Sequence, residues 1–239
     1  MGLLHGNFVG FRTRNLTLRL VPIAAYILVA VFAYFLGAIP TGYLVANAKG
    51  IDIRSVGSGN IGATNAMRVL GKPLGIFVLL MDALKGFAAA ALVLNCYPAM
   101  SGAWPAIFPA DASGRFSLAV IAGLCAVLGH NYTCWLKFKG GKGIATTAGV
   151  YFALAPLSVS IALGIWILLF VTTRYVSIAS LAAAMALPTA VWLTQSSLLL
   201  GIVTTLLGAL AIFKHLSNIQ RLLAGTENRI NFKKGKSAA

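Results

Sequence analysis

Thr147 to Val171 reads TAGVYFALAPLSVSIALGIWILLFV, 25 residues without a charge, interrupted by Pro156 and Gly164. One membrane helix takes roughly 20 apolar residues. The stretch is therefore too short for two full crossings, yet long enough for two short helices that separate at the proline. Other apolar blocks run from about Val21 to Ala46, Leu74 to Tyr97, Phe116 to Trp135, Ile178 to Leu193 and Leu198 to Phe213. Together the blocks predict an all-α polytopic integral membrane bundle of about seven membrane helices, with the fourth and fifth short.

Composition points the same way. Of 239 residues 59% are hydrophobic and 10% are charged, whereas soluble domains carry about 25% charged residues. Nineteen Lys and Arg face four acids, Asp52, Asp82, Asp111 and Glu227, for a net charge of +15. No contiguous basic face with aromatic platforms accompanies this charge, so nucleic acid is not an expected partner. Cys96, Cys125 and Cys134 show no metal spacing and read as core filler; neither metal nor cofactor is expected. The first apolar block is too long for a cleaved signal peptide, which leaves residues 1–19 as a basic extension, 20–227 as one membrane domain and 228–239 as a basic tail.

Lys and Arg placement sets orientation. Asn47 to Pro73 carries Lys49, Arg54, Arg68 and Lys72; the segment around Phe138 carries Lys137, Lys139 and Lys142; the tail carries Lys214, Arg221, Arg229, Lys233, Lys234 and Lys236. Pro98 to Gly114 has no Lys or Arg before Gly114 and a single acid. The first two segments and the tail are therefore expected on the cytoplasmic side. The amino terminus is then outside, despite Arg12, Arg14 and Arg19. The break at Pro156 restores parity and brings Arg174 and Ser177 to the cytoplasmic face.

Two of these polar segments have the composition of anion cradles. Gly57 to Asn65 reads GSGNIGATN, with Arg68 and Lys72 following. Glycines let backbone approach a ligand closely, Ser, Thr and Asn add hydrogen-bonding groups, and a helix starting near Thr64 would aim N–H groups at an anion. Phe138 to Thr147 reads FKGGKGIATT. It lacks the strand and the spacing of a P-loop, so only its flexible backbone and the point charges of Lys139 and Lys142 are informative. Asp82 and Lys85 sit three apart within a span and are expected to neutralise each other. Of the histidines, His5 lies in the extension, and His130 near a span end suits packing as well as catalysis. His215 with Asn218, Gln220 and Arg221 puts polar groups on a helix at the membrane edge.

The sequence has no GxSxG, no Ser/His/Asp set, no paired carboxylates, and no acid four or five residues after His130. An enzyme built from these parts needs a substrate that is already activated. The alternative is a membrane transporter for phosphate or a phosphorylated metabolite, which would place its cradles in broken spans related by an internal repeat.

GSGNIGATNAMRVLGK from Gly57, KFKGGKGIATTAGV from Lys137 and HLSNIQRLLAGTE from His215 resemble, in order, the three motifs of the bacterial acyl-phosphate:glycerol-3-phosphate acyltransferases. DALKG at Asp82 and RYVSIAS at Arg174 fit the same resemblance. It implies an integral enzyme of the bacterial inner membrane, without cofactor, whose active site faces the cytoplasm. The enzyme would move a fatty acyl group from acyl phosphate to the 1-hydroxyl of glycerol 3-phosphate, giving 1-acylglycerol 3-phosphate and inorganic phosphate. Membrane lipid would surround it, and the product would pass to other enzymes of phospholipid synthesis. By position, Ser58, Gly59, Asn60, Gly62, Thr64, Asn65, Gly141 and Gly143 would cradle the acyl-phosphate head group. Arg68 and Lys142 would hold glycerol phosphate with the catalytic set of Ser177, Lys139, His215 and Asn218. The substrate's own oxygen would take the proton, or His215 as the best protein base.

Overall fold

A computed structural model describes residues 8–108 and 112–230, with side chains placed for residues 23–108 and 114–230. All regular structure among them is helical: α1 Phe8–Ala38, α2 Thr41–Asn47, α3 Ala63–Leu70, α4 Lys72–Ala103, α5 Ala112–Asn131, α6 Ile144–Leu154, α7 Pro156–Thr173, α8 Val176–Thr194, α9 Leu198–Lys214 and α10 Leu216–Leu223. His5 and the three lysines beyond Asn231 lie outside the described residues. The expected extension is in part helix, because α1 already begins at Phe8.

Five segments are long and apolar enough to cross a bilayer: Ile23–Asn47, Lys72–Ala103, Gly114–Leu136, Pro156–Thr173 and Val176–Thr194. α9 passes the same test only together with α10, from which it is bent by 52°, and α6 is a shorter apolar helix. The break expected at Pro156 is present, with Ala155 extended between α6 and α7. With 11 residues α6 is short as expected, whereas α7 has 18 and exceeds a half-crossing.

The packing places small residues inside and large ones outside. Ala25, Ala33, Ala89, Ala90, Ala119, Ala122 and Ala126 are buried, while Phe32, Leu80, Leu168 and Leu193 face outward. In lipid, association gains little from burying large apolar groups and much from close backbone approach, so small residues collect at helix contacts. The α4–α6 pair shows how close. A Cβ on Gly149 would lie 1.8 Å from the Ala83 carbonyl oxygen, and one on Gly86 would lie 2.1 Å from that of Thr146.

The expected Asp82–Lys85 pair forms at 2.9 Å, buried in α4. Lys85 Nζ also donates to the Ile39 carbonyl at 2.8 Å. Pro40 interrupts the chain there between α1 and α2, so the ammonium supplies a donor where the helix ladder stops. His130 Nδ1 stands 3.6 Å from the same carboxylate oxygen, Asp82 Oδ1. Of the cysteines, Cys125 and Cys134 are partly buried, but Cys96 is exposed and is not core filler.

Candidate active site

The first glycine loop is built around one amide. Asn65 is buried; its Nδ2 donates toward the carbonyls of Asn60 at 2.9 Å, Val56 at 3.1 Å and Ile53 at 3.3 Å, and its Oδ1 accepts from the Ser58 N–H at 2.9 Å. Gly57, at φ 62°, has no room for a side chain, since a Cβ would lie 2.3 Å from Asn65 Oδ1. The expectation that Asn65 gives its amide hydrogens to an anion is thereby corrected. They are taken within the loop, and Asn65 acts as the strut that shapes it. Asn60 Oδ1 likewise accepts from the Gly62 N–H at 2.8 Å. The turn into α3 occurs at Gly62, close to the expected start, and aims the first N–H groups of that helix into a cavity.

The second glycine loop packs onto the end of α5. Gly140 and Gly141 donate to the carbonyls of Asn131 and His130 at 3.1 and 3.0 Å. A Cβ on Gly141 would stand 2.1 Å from His130 Nε2. His130 is therefore a buried support for this loop, itself flanked by Asp82. Lys137 and Phe138, both at positive φ, turn the chain so that Lys142 points inward and Lys139 remains exposed.

A cavity of about 300 Å³ joins these loops to α8, α9 and α10. Of the residues expected to form a site, Ser58, Asn60, Gly62, Thr64, Asn65, Arg68, Lys142, Gly143, Ser177, His215 and Asn218 line it. Gly59, Gly141 and Lys139 do not. The first two shape their loops from behind, and Lys139 is exposed on its loop.

Three charged or amide groups beyond Lys142 complete a chain of contacts. Lys142 Nζ donates to Asn218 Oδ1, Asn218 Nδ2 donates to Glu227 Oε1 at 2.7 Å, and Arg221 Nε donates to Glu227 Oε2 at 2.7 Å. Burial, then repulsion from Arg221, lowers the Lys142 pKa to about 8. Burial pushes Glu227 up, but hydrogen bonds from Asn218 and Arg221 prevail and hold it below the ordinary carboxylate range. His215, between α9 and α10, is lowered to about 4, first by burial and then by the charge of Lys142. Its Nδ1 lies 2.7 Å from the Ala211 carbonyl, which accepts only, so neutral His215 carries its hydrogen there and presents a lone pair at Nε2.

A profile described as glycerol-3-phosphate acyltransferase matches residues 27–225. The chain belongs to the glycerol-3-phosphate acyltransferase family. Among the members it is similar to, the glycerol-3-phosphate acyltransferase of Geotalea daltonii is 45% identical over 202 residues, 84% of this chain and 96% of that protein. The Fusobacterium nucleatum protein of the same name is 41% identical, covering 87% of this chain and all of that one. Two crystal structures of PlsY, an integral membrane glycerol 3-phosphate acyltransferase, superpose on it. The glycerol 3-phosphate form gives a TM-score of 0.75 at 37% identity, over 86% of this chain and 96% of the other. The lysophosphatidic acid form gives 0.72 at 36%, over 86% and 95%.

Sequence reasoning left Arg221 and Glu227 without roles in this acyltransferase site, and missed Asn228 and Ile230, which also line the cavity. Two signals were available: Arg221 follows Asn218 by three on one helix face, and Glu227 is one of four acids in a strongly basic chain.

Proposed function

We propose that this acyltransferase takes its acyl group from acyl phosphate and works at the cytoplasmic face of the bacterial inner membrane. The acceptor is the 1-hydroxyl of glycerol 3-phosphate; the products are 1-acylglycerol 3-phosphate, which passes to further enzymes of phospholipid synthesis, and inorganic phosphate. One observation carries the reading. Arg68, Lys142 and Arg221 arrive from three separate segments at a common cavity, which suits two phosphate groups held side by side.

In this reaction the hydroxyl oxygen bonds to the acyl carbon as the carbon–oxygen bond to the donor's phosphate breaks. The phosphate departs with the electron pair and takes the hydroxyl proton on its own oxygen. An acyl phosphate is a mixed anhydride, so the protein needs orientation and charge stabilisation rather than a covalent nucleophile. Ser58, Asn60, Thr64 and the N–H groups at the start of α3 hold the donor phosphate, with Gly59, Gly62, Gly141 and Gly143 shaping the loops. Arg68, Lys142, Ser177 and Asn218 hold glycerol phosphate. His215, with its pKa near 4, is a weak base at neutral pH. Its role is to accept a hydrogen bond from the attacking hydroxyl at Nε2 and so align it.

The test is to incubate purified protein with acyl phosphate and labelled glycerol 3-phosphate. Labelled 1-acylglycerol 3-phosphate and stoichiometric phosphate are expected. Acylation that requires acyl-CoA instead would overturn the donor assignment. Lys139→Cys in a Cys96→Ala background tests sidedness, because an impermeant thiol reagent should reach that exposed loop only from the cytoplasmic side.

A further inference from the structure

Asp82, Lys85 and His130 form a buried cluster that the acyl-transfer chemistry does not use, although Asp82 and His130 line the cavity. A buried ion pair gains little stability over apolar residues of the same volume, and its best-attested use is to fix register. Here the pair reaches toward both glycine loops. In the direction of the first, the Lys85 ammonium holds the Ile39 carbonyl at 2.8 Å. The preceding carbonyl, of Ala38, accepts from the buried Thr133 hydroxyl at 2.6 Å, so the break between α1 and α2 is pinned from α4 and from the turn after α5. α2 then runs against the loop itself: a Cβ on Gly42 would lie 1.9 Å from the carbonyl oxygen of Ile61, between Asn60 and Gly62. In the direction of the second loop, Asp82 Oδ1 is 2.9 Å from Lys85 Nζ and 3.6 Å from His130 Nδ1. The Nε2 edge of that ring meets Gly141, next to Lys142, and the His130 carbonyl accepts the Gly141 N–H at 3.0 Å. Asp82 and Lys85 are three residues apart, roughly 4.5 Å along a single helix.

We propose that Asp82 and Lys85, together with His130, are positioning residues that set the separation of the two glycine loops. The proposal rests on the reading of the cavity as a two-phosphate site, in which glycerol phosphate is gripped across the loops by Arg68 from one segment and Lys142 from the other. The donor phosphate lies within the first loop and the start of α3. Each loop keeps its own shape through its own hydrogen bonds, from Asn65 in the first and from the carbonyls of His130 and Asn131 in the second. Losing the pair therefore moves one loop against the other without unmaking either. The grip on glycerol 3-phosphate weakens, the donor site stays intact, and a misplacement of about 1 Å costs on the order of a hundredfold in rate.

The experiment uses the double variant Lys85→Met, Asp82→Asn, which removes the pair without stranding a charge. Detergent unfolding reports the fold, and equilibrium binding of labelled glycerol 3-phosphate, with no donor present, reports the grip. Unfolding close to that of the unaltered protein is expected together with binding weaker by about tenfold or more, the loss of one charge-assisted contact. In turnover the KM for glycerol 3-phosphate rises by the same factor, while the KM for acyl phosphate stays within about threefold. Thr133→Val removes a tether of the same break but no charge, and is expected to weaken glycerol 3-phosphate binding in the same direction whether or not the double variant folds. A purely structural pair gives binding that recovers with stability in the double variant and is unchanged in Thr133→Val; that result overturns the proposal, as does an equal rise in both KM values. Arg68→Gln and Lys142→Gln test the underlying reading, since each must weaken glycerol 3-phosphate binding. If neither does, the grip across the loops is wrong and the proposal falls with it; if both do while the double variant binds normally, the positioning role alone falls.

Discussion

Lys142 offers the sharpest test of the site's electrostatics. Its ammonium is lowered to about 8 by burial and by the neighbouring positive charge of Arg221. If that charge holds the phosphate of glycerol 3-phosphate, kcat/KM must follow the protonated fraction of the free enzyme. With a pKa of about 8, roughly 90% of Lys142 is charged at pH 7, about 10% at pH 9 and about 1% at pH 10, a tenfold loss per pH unit at the upper end. The phosphate of the substrate, with a second pKa of about 6, is already about 90% ionised at pH 7 and about 99% at pH 8, so it adds no descending limb. Initial rates at limiting glycerol 3-phosphate, corrected for spontaneous hydrolysis of the donor, give the profile. Lys142→Arg keeps a charge that does not titrate below pH 12 and should abolish the descending limb, whatever its absolute rate. Arg221→Gln removes a repulsive neighbour and should move the limb to higher pH. A flat wild-type profile between pH 7 and 10, or a limb that stays near 8 in Lys142→Arg, would refute the assignment.

Three further outcomes follow from the geometry. Gly141→Ala places a methyl group against His130 and should lower turnover more than tenfold, with partial recovery in the double variant Gly141→Ala, His130→Ala, because the clash is then relieved. Lys85→Met strands Asp82 inside α4 and should cost about 3–5 kcal/mol in detergent unfolding; adding Asp82→Asn should restore most of that loss, and no restoration would mean that charge is not the cause. His215 has a folded pKa below its unfolded value of about 6.5, so its contribution to stability is complete above pH 6.5 and is lost as pH falls toward 4. His215→Gln should flatten that part of the curve of melting temperature against pH.

Much of this was legible in the chain because it depends on local pattern. Apolar blocks located the spans, Pro156 located the break between α6 and α7, and the three-residue spacing of Asp82 and Lys85 foretold their pairing. His215 and Asn218 do face one cavity with both glycine loops. What escaped depends on contacts between distant parts. Nothing near Asn65 announces that its amide will be consumed by three carbonyls of the preceding loop. Lys139 and Lys142 look alike in sequence, and a pair of left-handed residues at Lys137 and Phe138 separates them into an outward and an inward cation. Glu227 reaches Asn218 because Gly225, at φ 68°, reverses the chain after α10.

The chain of contacts from Lys142 through Asn218 to Glu227 also bears on biosynthesis. Ser58 and Arg68 leave the ribosome early, and the apolar helices enter the bilayer in turn. The cavity has no closing wall until Glu227 folds back on α10 and the Ile230 N–H meets the Arg174 carbonyl at 3.0 Å. A chain arrested before that point carries nearly all the groups proposed to touch substrate, but its Lys142 and Asn218 lack the partner that sets their arrangement. The arrangement of the site is therefore expected to be complete only once residues 227–230 are in place.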